Sequence, residues 1–245
     1  MSDIPADTKP SFRSDMTVDL VKHSAGDSDV LWAARVSTAG EQSLAEMSKD
    51  PERSKGLINF LMRDRHGSPF EHNSMTFLIS APIFVFREFM RHRVGWSYNE
   101  ESGRYRELQP VFYVPDPSRR LVQEGRPGKY VFVDGTQEQQ DLTAGVMTES
   151  YQRSYEAYQE MLAAGVAREV ARAVLPVGLY SSMYATCNAR SLMHFLGLRT
   201  QHEAATVPSF PQREIEMVGE KMEEQWARLM PLTHAAFNAN GRVAP

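Results

Sequence analysis

The chain has 245 residues, with 27 Lys+Arg against 31 Asp+Glu and a formal net charge of -4. Its 42% hydrophobic content supplies a sizeable core and excludes a wholly disordered chain, and no run approaches the ~20 apolar residues of a membrane span. The polar stretch Met1–Asp15 lacks a signal peptide's apolar run, and one cysteine, Cys187, excludes an internal disulfide and a multi-cysteine metal or iron–sulfur site, so a cytoplasmic location fits.

In chain order, residues 1–15 read as a disordered, mobile tail. Met16–Lys22 alternates apolar and polar residues and predicts a strand. Asp27 or Ser28 is placed to cap a short helix through Val30, Leu31, Ala34 and Arg35. Asp50 as N-cap and Pro51 at the first helical position open a second helix, with Leu57, Phe60 and Leu61 as its apolar face. Ser74–Ala81 reads as a strand. Pro82 opens a helix from Ile83 to about Arg93, with Arg87 and Arg91 one turn apart. Val94–Gly103 is polar and reads as a loop, Val111–Val114 as a short strand, and Pro115–Gly128 as a loop. Lys129–Val133 predicts a strand and Thr136–Ala164 a long helix. A helix carrying Arg168 and Arg172 stops before Pro176. Leu179–Thr186 reads as extended, Ser191–Leu198 as helix, and Glu214–Met230 as a last amphipathic helix. The expected fold class is α+β: one domain over 16–240, with a central, mostly antiparallel sheet flanked by helices.

Of the 27 basic residues only 6 are Lys, leaving 27 − 6 = 21 Arg. Arginine favours planar, bidentate recognition of phosphate or carboxylate. The densest cluster is REFMRHRVGWSYNEESGRYR, Arg87–Arg106. Arginines closing a helix offset its dipole, but a merely solvated loop has little reason to mix Trp96, Tyr98 and Tyr105 with Asn99, Glu100, Ser102 and Arg104. The mixture suits a heterocyclic ligand bearing an anionic group. Two further stretches, REVARAVLP (Arg168–Pro176) and NARSLMHFLGLR (Asn188–Arg199), read either as ordinary amphipathic helices or as additional ligand contacts. His66-Gly-Ser-Pro-Phe-Glu-His72 invites a metal hydrolase reading on His66, Glu71 and His72, but its spacing is not that of a helical His-Glu-x-x-His site; no metal is expected. A nucleic-acid binder would want a broadly basic surface, which this charge balance does not provide. No Rossmann fingerprint, phosphate-loop lysine motif or nucleophile elbow is present.

Together the motifs resemble the flavin-dependent thymidylate synthase family. Arg91-His92-Arg93 matches its Arg-His-Arg signature, with Tyr98–Glu100 and Ser102–Tyr105 following, and AARVS (Ala33–Ser37), HGSPFEH, REVARAVLP and NARSLMHFLGLR stand in the right order. The resemblance implies a thymidylate-synthase-complementing-protein-like fold, and homotetramers with active sites shared between subunits. It implies reductive methylation of dUMP to dTMP, with 5,10-methylenetetrahydrofolate as carbon donor and FAD, reduced by NADPH, as hydride source. The partners are small molecules, with neither nucleic acid nor membrane among them. Carried over by motif, Ser37, Ser68, Arg91, His92, Arg93, Glu100, Asn188, Ala189, Arg190 and His194 would hold FAD. Glu88, Arg91, Glu100, Glu101, Ser102, Gly103, Arg104, Arg172 and Arg199 would hold dUMP, with Arg199 polarising the uracil as the catalytic group. Three departures stand out. Eight residues rather than seven separate Arg93 from Ser102. Glu88 replaces a frequent Gln. Thr206–Gln212 looks inserted and is placed to reshape the entrance for folate or nicotinamide.

Overall fold

In the computed structural model, residues 9–42 and 50–245 are described. The described chain divides into two compact units, each assembled from separated stretches: residues 9–15, 80–87 and 100–182 form the first, and 16–42, 50–79, 88–99 and 183–245 the second. The sequence predicts one domain over 16–240; the packing divides the chain into these two units.

The first unit is organised by a long helix, α4 (Gln137–Ala163). Thr136 caps it, accepting from the Gln139 amide at 3.2 Å, while Gln139 Oε1 accepts from the Thr136 amide at 2.9 Å. One face of α4 carries Tyr151, Tyr155 and Tyr158, which pack with Phe112, Leu108, Ala171 and Leu179. Strand β1 (Ser11–Arg13) pairs in parallel with β5 (Val111–Tyr113), Phe12 opposite Phe112. This corrects the mobile tail read for residues 1–15, since burying Phe12 on the tyrosine cluster offsets the entropy of ordering these residues; residues 1–8 lie outside the described ones. Val122–Arg126 and Lys129–Val133 form the antiparallel hairpin β6–β7, closed through glycines at φ 101° (Gly125) and φ 76° (Gly128). The predicted loop over 115–128 therefore ends in a strand. Gly178 lies where a Cβ would meet Tyr151 Oη at 2.3 Å, so only glycine lets that ring close the core.

The second unit holds the central antiparallel sheet, in the order β2 (Thr17–Ser24), β3 (Ser74–Pro82), β8 (Tyr180–Cys187), β4 (Trp96–Glu100). Met75, Phe77 and Ile79 of β3 and Met183, Ala185 and Cys187 of β8 are buried at every second position, as a half-buried strand requires. Thr76 and Thr186 bridge the two strands through their hydroxyls at 2.9 Å. Helices α1 (Asp27–Ala39), α2 (Pro51–Arg63), α6 (Ala189–Arg199), α7 (Arg213–Leu229) and α8 (Pro231–Ala239) complete this unit. Asp50 and Pro51 open α2 as predicted, but its buried face is Ser54, Ile58, Leu61 and Met62, and Phe60 is exposed. Asp27 does not cap its own helix. Its carboxylate accepts from the Leu232 and Thr233 amides at 2.9 Å, satisfying the first turn of α8, a helix the sequence reading missed. Among the described residues no helix is long and apolar enough to cross a membrane.

Candidate functional site

The helix expected to reach Arg93 stops four residues early. Helix α3 covers Ile83–Phe89, and the chain then turns, with Arg91 N donating to Glu88 O at 3.2 Å and His92 N to Phe89 O at 2.9 Å. Tyr98 explains the stop. Its hydroxyl lies 3.0 Å from Phe89 O and 2.8 Å from His92 O, covering two carbonyls that a continuing helix would use. Burial pushes the Tyr98 phenol above its usual range, so it stays a protonated donor. Tyr98 belongs to strand β4 in the stretch read as a loop; alternation of half-buried Trp96, Tyr98 and Glu100 with exposed Ser97 and Asn99 makes it a strand. Gly95, at φ 70°, reverses the chain between turn and strand, and a Cβ there would fall 2.1 Å from Ser191 Oγ. Ser191 Oγ donates to Val94 O at 3.0 Å, fastening the turn onto the start of α6.

The N-terminus of α6 is held by side chains. Asn188 Oδ1 accepts from Ser191 N at 2.9 Å and Asn73 Oδ1 from Ala189 N at 2.8 Å. Two of the first turn's amide groups are thereby engaged, and the charged groups around them are left to carry recognition. A cavity of about 330 Å³ opens here, lined by Glu71, His92, Arg93, Val94, Trp96, Arg190, Ser191 and His194. Arg190 forms an ion pair with Glu71 and donates from Nε to Pro245 O at 2.6 Å. Its guanidinium lies over Gly67, where a Cβ would come within 2.5 Å of it. His92 packs edge-on against Phe195, with ring centroids 5.0 Å apart. Burial pushes its pKa down to about 4, assisted by the charges of Arg199 and His194, so the imidazole is neutral near pH 7. A neutral Nε2 accepts, and Arg199 Nε donates to it at 3.1 Å. On its other side Arg199 pairs with Glu88 at 2.6 Å. Burial pushes the Glu88 carboxyl up, and Arg199 pulls it back.

The first unit gathers the other predicted residues. Ser102 O accepts from Tyr105 N at 3.0 Å and from Arg106 N at 3.3 Å, so SGRY forms a tight turn. Within it Ser102 Oγ accepts from Arg104 N at 3.3 Å, Arg104 pairs with Glu169 at 2.9 Å and Glu101 with Arg106 at 3.2 Å. Gly103 is buried, and a Cβ would stand 3.3 Å from Arg172 Cδ, so its absence admits the arginine stem. Burial pushes the Glu100 carboxyl up while the Ser181 hydroxyl and Arg172 draw it back. Thus Glu100–Arg104 and Arg172 converge in one unit, and Glu88, Arg199 and the Arg-His-Arg turn in the other.

Some predicted residues lie apart. Ser37 is exposed on α1, its hydroxyl donating to Ala34 O at 3.0 Å, and exposed Ser68 opens a short turn; neither lines the cavity. Arg91 is exposed and outside the lining; half-buried Asn188 and buried Ala189 also lie outside it and shape the start of α6 instead. The side chains of the His66–His72 loop are engaged elsewhere. His66 stacks on Phe60, His72 meets Trp32 edge-on, Glu71 is held by Arg190, and among the described residues no group of three His, Cys, Asp or Glu could hold a metal ion. Sequence reasoning missed Glu71, Val94 and Ser191 as cavity residues; the signal was an acid within a loop facing an arginine-rich motif. The segment Thr206–Gln212 is tied down, Thr206 N donating to Gly241 O at 3.0 Å and Ser209 Oγ to Thr200 O.

A family model described as thymidylate synthase complementing protein matches residues 19–232. The chain is 86% identical over 246 residues to a flavin-dependent thymidylate synthase of Streptomyces avermitilis, covering all of both chains. It is 59% identical over 236 residues to one from Tropheryma whipplei, covering 96% of this chain and 98% of the relative. Among solved structures, a UMP/dUMP methylase from Streptomyces cacaoi bound with 5-Br dUMP superposes with TM-score 0.91 at 57% identity, covering 96% of this chain and 100% of that one.

Proposed function

The chain belongs to the thymidylate synthase complementing protein family, the flavin-dependent thymidylate synthases, and from that premise we propose how its residues divide the work. The reaction is reductive methylation of dUMP to dTMP, with 5,10-methylenetetrahydrofolate as carbon donor and FAD and NADPH as the redox pair.

The observation that carries the assignment of roles is the cavity at the Arg-His-Arg turn. Its donor set fits FAD: Arg93 and Arg190 offer cations to a diphosphate, and Trp96 with the two imidazoles offers flat faces to a ring system. FAD reduced by NADPH supplies the hydride there. Arg93, Arg190, His92 and His194 bind and orient it, with Asn188 and Ala189 shaping the wall. Ser37, Ser68, Arg91 and Glu100, which lie outside this cavity's lining, belong to the FAD set through the family's motifs alone.

Glu100, Glu101, Ser102, Gly103, Arg104 and Arg172 bind the nucleotide, the Ser102 hydroxyl and the two arginines taking the phosphate. Arg199, with Glu88, faces the uracil. A guanidinium beside the ring carbonyl stabilises negative charge developing on the pyrimidine and raises electron density at C5, the carbon to be methylated. Neutral His92 holds Arg199 Nε, so the guanidinium is oriented before substrate arrives. Residues 16–240 act as one catalytic domain, in a cytoplasmic homotetramer whose active sites take residues from more than one chain.

The test is direct. Purified protein should carry an oxidised flavin band that bleaches on NADPH and should form dTMP from dUMP and methylenetetrahydrofolate. A colourless protein that neither binds FAD nor forms dTMP would refute the reading. A second reading is favoured by the Streptomyces cacaoi methylase, also solved with 5-Br UMP at 56% identity and TM-score 0.88: acceptance of UMP alongside dUMP. Comparing kcat/KM for the two nucleotides decides it.

A further inference from the structure

Helix α6 carries a critical arginine near each end, Arg190 and Arg199, and one short segment touches both ends. At its root Arg242 is buried and sits in the left-handed region at φ 57°. Its guanidinium donates to Glu223 at 2.6 and 2.8 Å, to Asn238 Oδ1 at 2.7 Å and to Thr200 Oγ1 at 2.9 Å, and lies 4.9 Å over the Phe237 ring. Thr200 directly follows Arg199 and donates its hydroxyl to Leu196 O at 2.8 Å. In the last turn of α6, a Cβ on Gly197 would stand 3.0 Å from Arg242 O, so the segment starts against the helix backbone. Farther along, Arg65 donates to Val243 O at 2.6 Å and to Ala244 O at 3.2 Å. At the other end buried Pro245 presents its main-chain oxygen to Arg190 Nε at 2.6 Å.

We propose that Arg242–Pro245 is a positioning strap: anchored at the C-terminal end of α6, it reaches the N-terminal end and fixes the Arg190 guanidinium in its cavity-facing orientation. The chemistry supports this. A guanidinium on four rotatable bonds loses rotamer freedom on binding an anion, and acceptors that hold it beforehand remove that cost. Glu71 supplies one acceptor and Pro245 O the second, while bare Gly67 lets the guanidinium lie flat between them. The strap residues touch no reacting group, so their role is positioning. The proposal rests on the flavin reading of Arg190.

The experiment is a double-mutant cycle on FAD affinity, followed by flavin fluorescence with thermal melting in parallel. The variants are a chain ending at Arg242, Arg190→Gln, and the two combined. Arg190→Gln should weaken FAD binding about tenfold, the size of one charge-assisted hydrogen bond. The shortened chain should lose most of that factor with its melting temperature little changed. The combined variant should be scarcely weaker than Arg190→Gln alone. Arg65→Ala, which removes an exposed donor to the strap, should weaken FAD in the same direction and keeps the proposal testable should the shortened chain fold poorly. Unchanged affinity in Arg190→Gln would overturn the flavin reading of that residue. A full Arg190→Gln effect persisting in the shortened chain, with no effect of Arg65→Ala, would overturn the strap alone.

Discussion

Arg242 and Glu223 form a largely buried ion pair, their side chains 1% and 15% exposed. Burial by itself would raise the Glu223 carboxyl, but hydrogen bonds from Arg242 and His234 prevail and hold it at about 2. Arg242→Met keeps the stem's volume and the left-handed backbone while deleting the charge. It leaves Glu223 with His234 alone, and breaking a buried pair in this way costs about 3–5 kcal/mol. At ~2–4 °C per kcal/mol for a chain of this size, the melting temperature should fall by about 6–20 °C. Acid provides an independent check. The Glu223 pKa is depressed on folding, so its contribution is present above the unfolded value and lost as pH falls through the folded one. Against about 4.3 for an unfolded glutamate, the contribution is roughly 3 kcal/mol, vanishing between about pH 4.5 and 2. Wild type should show that acid loss in urea unfolding, and Arg242→Met should have forfeited most of it already at pH 7. A loss below about 1 kcal/mol at neutral pH, the range of an exposed pair, or an acid profile identical to wild type, would refute the reasoning.

Arg199→Lys cannot serve both His92 and Glu88, and kcat should drop about 10²–10³-fold, as for removal of one preorganised donor, while the flavin absorption band persists. The His92 ring should titrate at about 4 by NMR, its folded pKa lying below the usual imidazole value, so that the ring stays neutral across pH 6–8; a midpoint above 6 would contradict the acceptor role. Gly178→Ala should cost about 1–3 kcal/mol by overpacking against Tyr151, read as a lower melting temperature. Ser102→Ala should raise the dissociation constant for dUMP; lost turnover at unchanged dUMP affinity would instead make the hydroxyl a chemical participant.

Much of this was legible in the sequence because local physics wrote it there. The Asp50-Pro51 start of α2, the long helix α4 and the strand β3 are legible in the sequence, and each rests on short-range signals. The errors have long-range causes. Helix α3 ends early because Tyr98, six residues past His92, covers the carbonyls that would have continued it. Strand β1 exists because Phe12 finds a tyrosine cluster more than a hundred residues away. For the site, the motif arginines were evident, but their partners were not. Glu71 and Pro245 come from stretches remote from Arg190, and nothing in the linear order announces that they meet it. His92 reads as a ligand contact from the sequence, and its burial adds a second property, an uncharged ring that accepts from Arg199.

The turn at Gly95 bears on how this signature can diverge. Two anchors flank it: the Tyr98 hydroxyl fastens what lies beyond, and Ser191 clasps Val94 on the near side. Slack gathered at such a hairpin bend is absorbed where it arises, leaving the phase of both neighbours intact. A supernumerary residue there is evolutionarily inexpensive, whereas the same insertion three positions later would flip every side chain of β4 to the opposite face. Lineages should therefore differ in spacing at this bend and nowhere else within the motif.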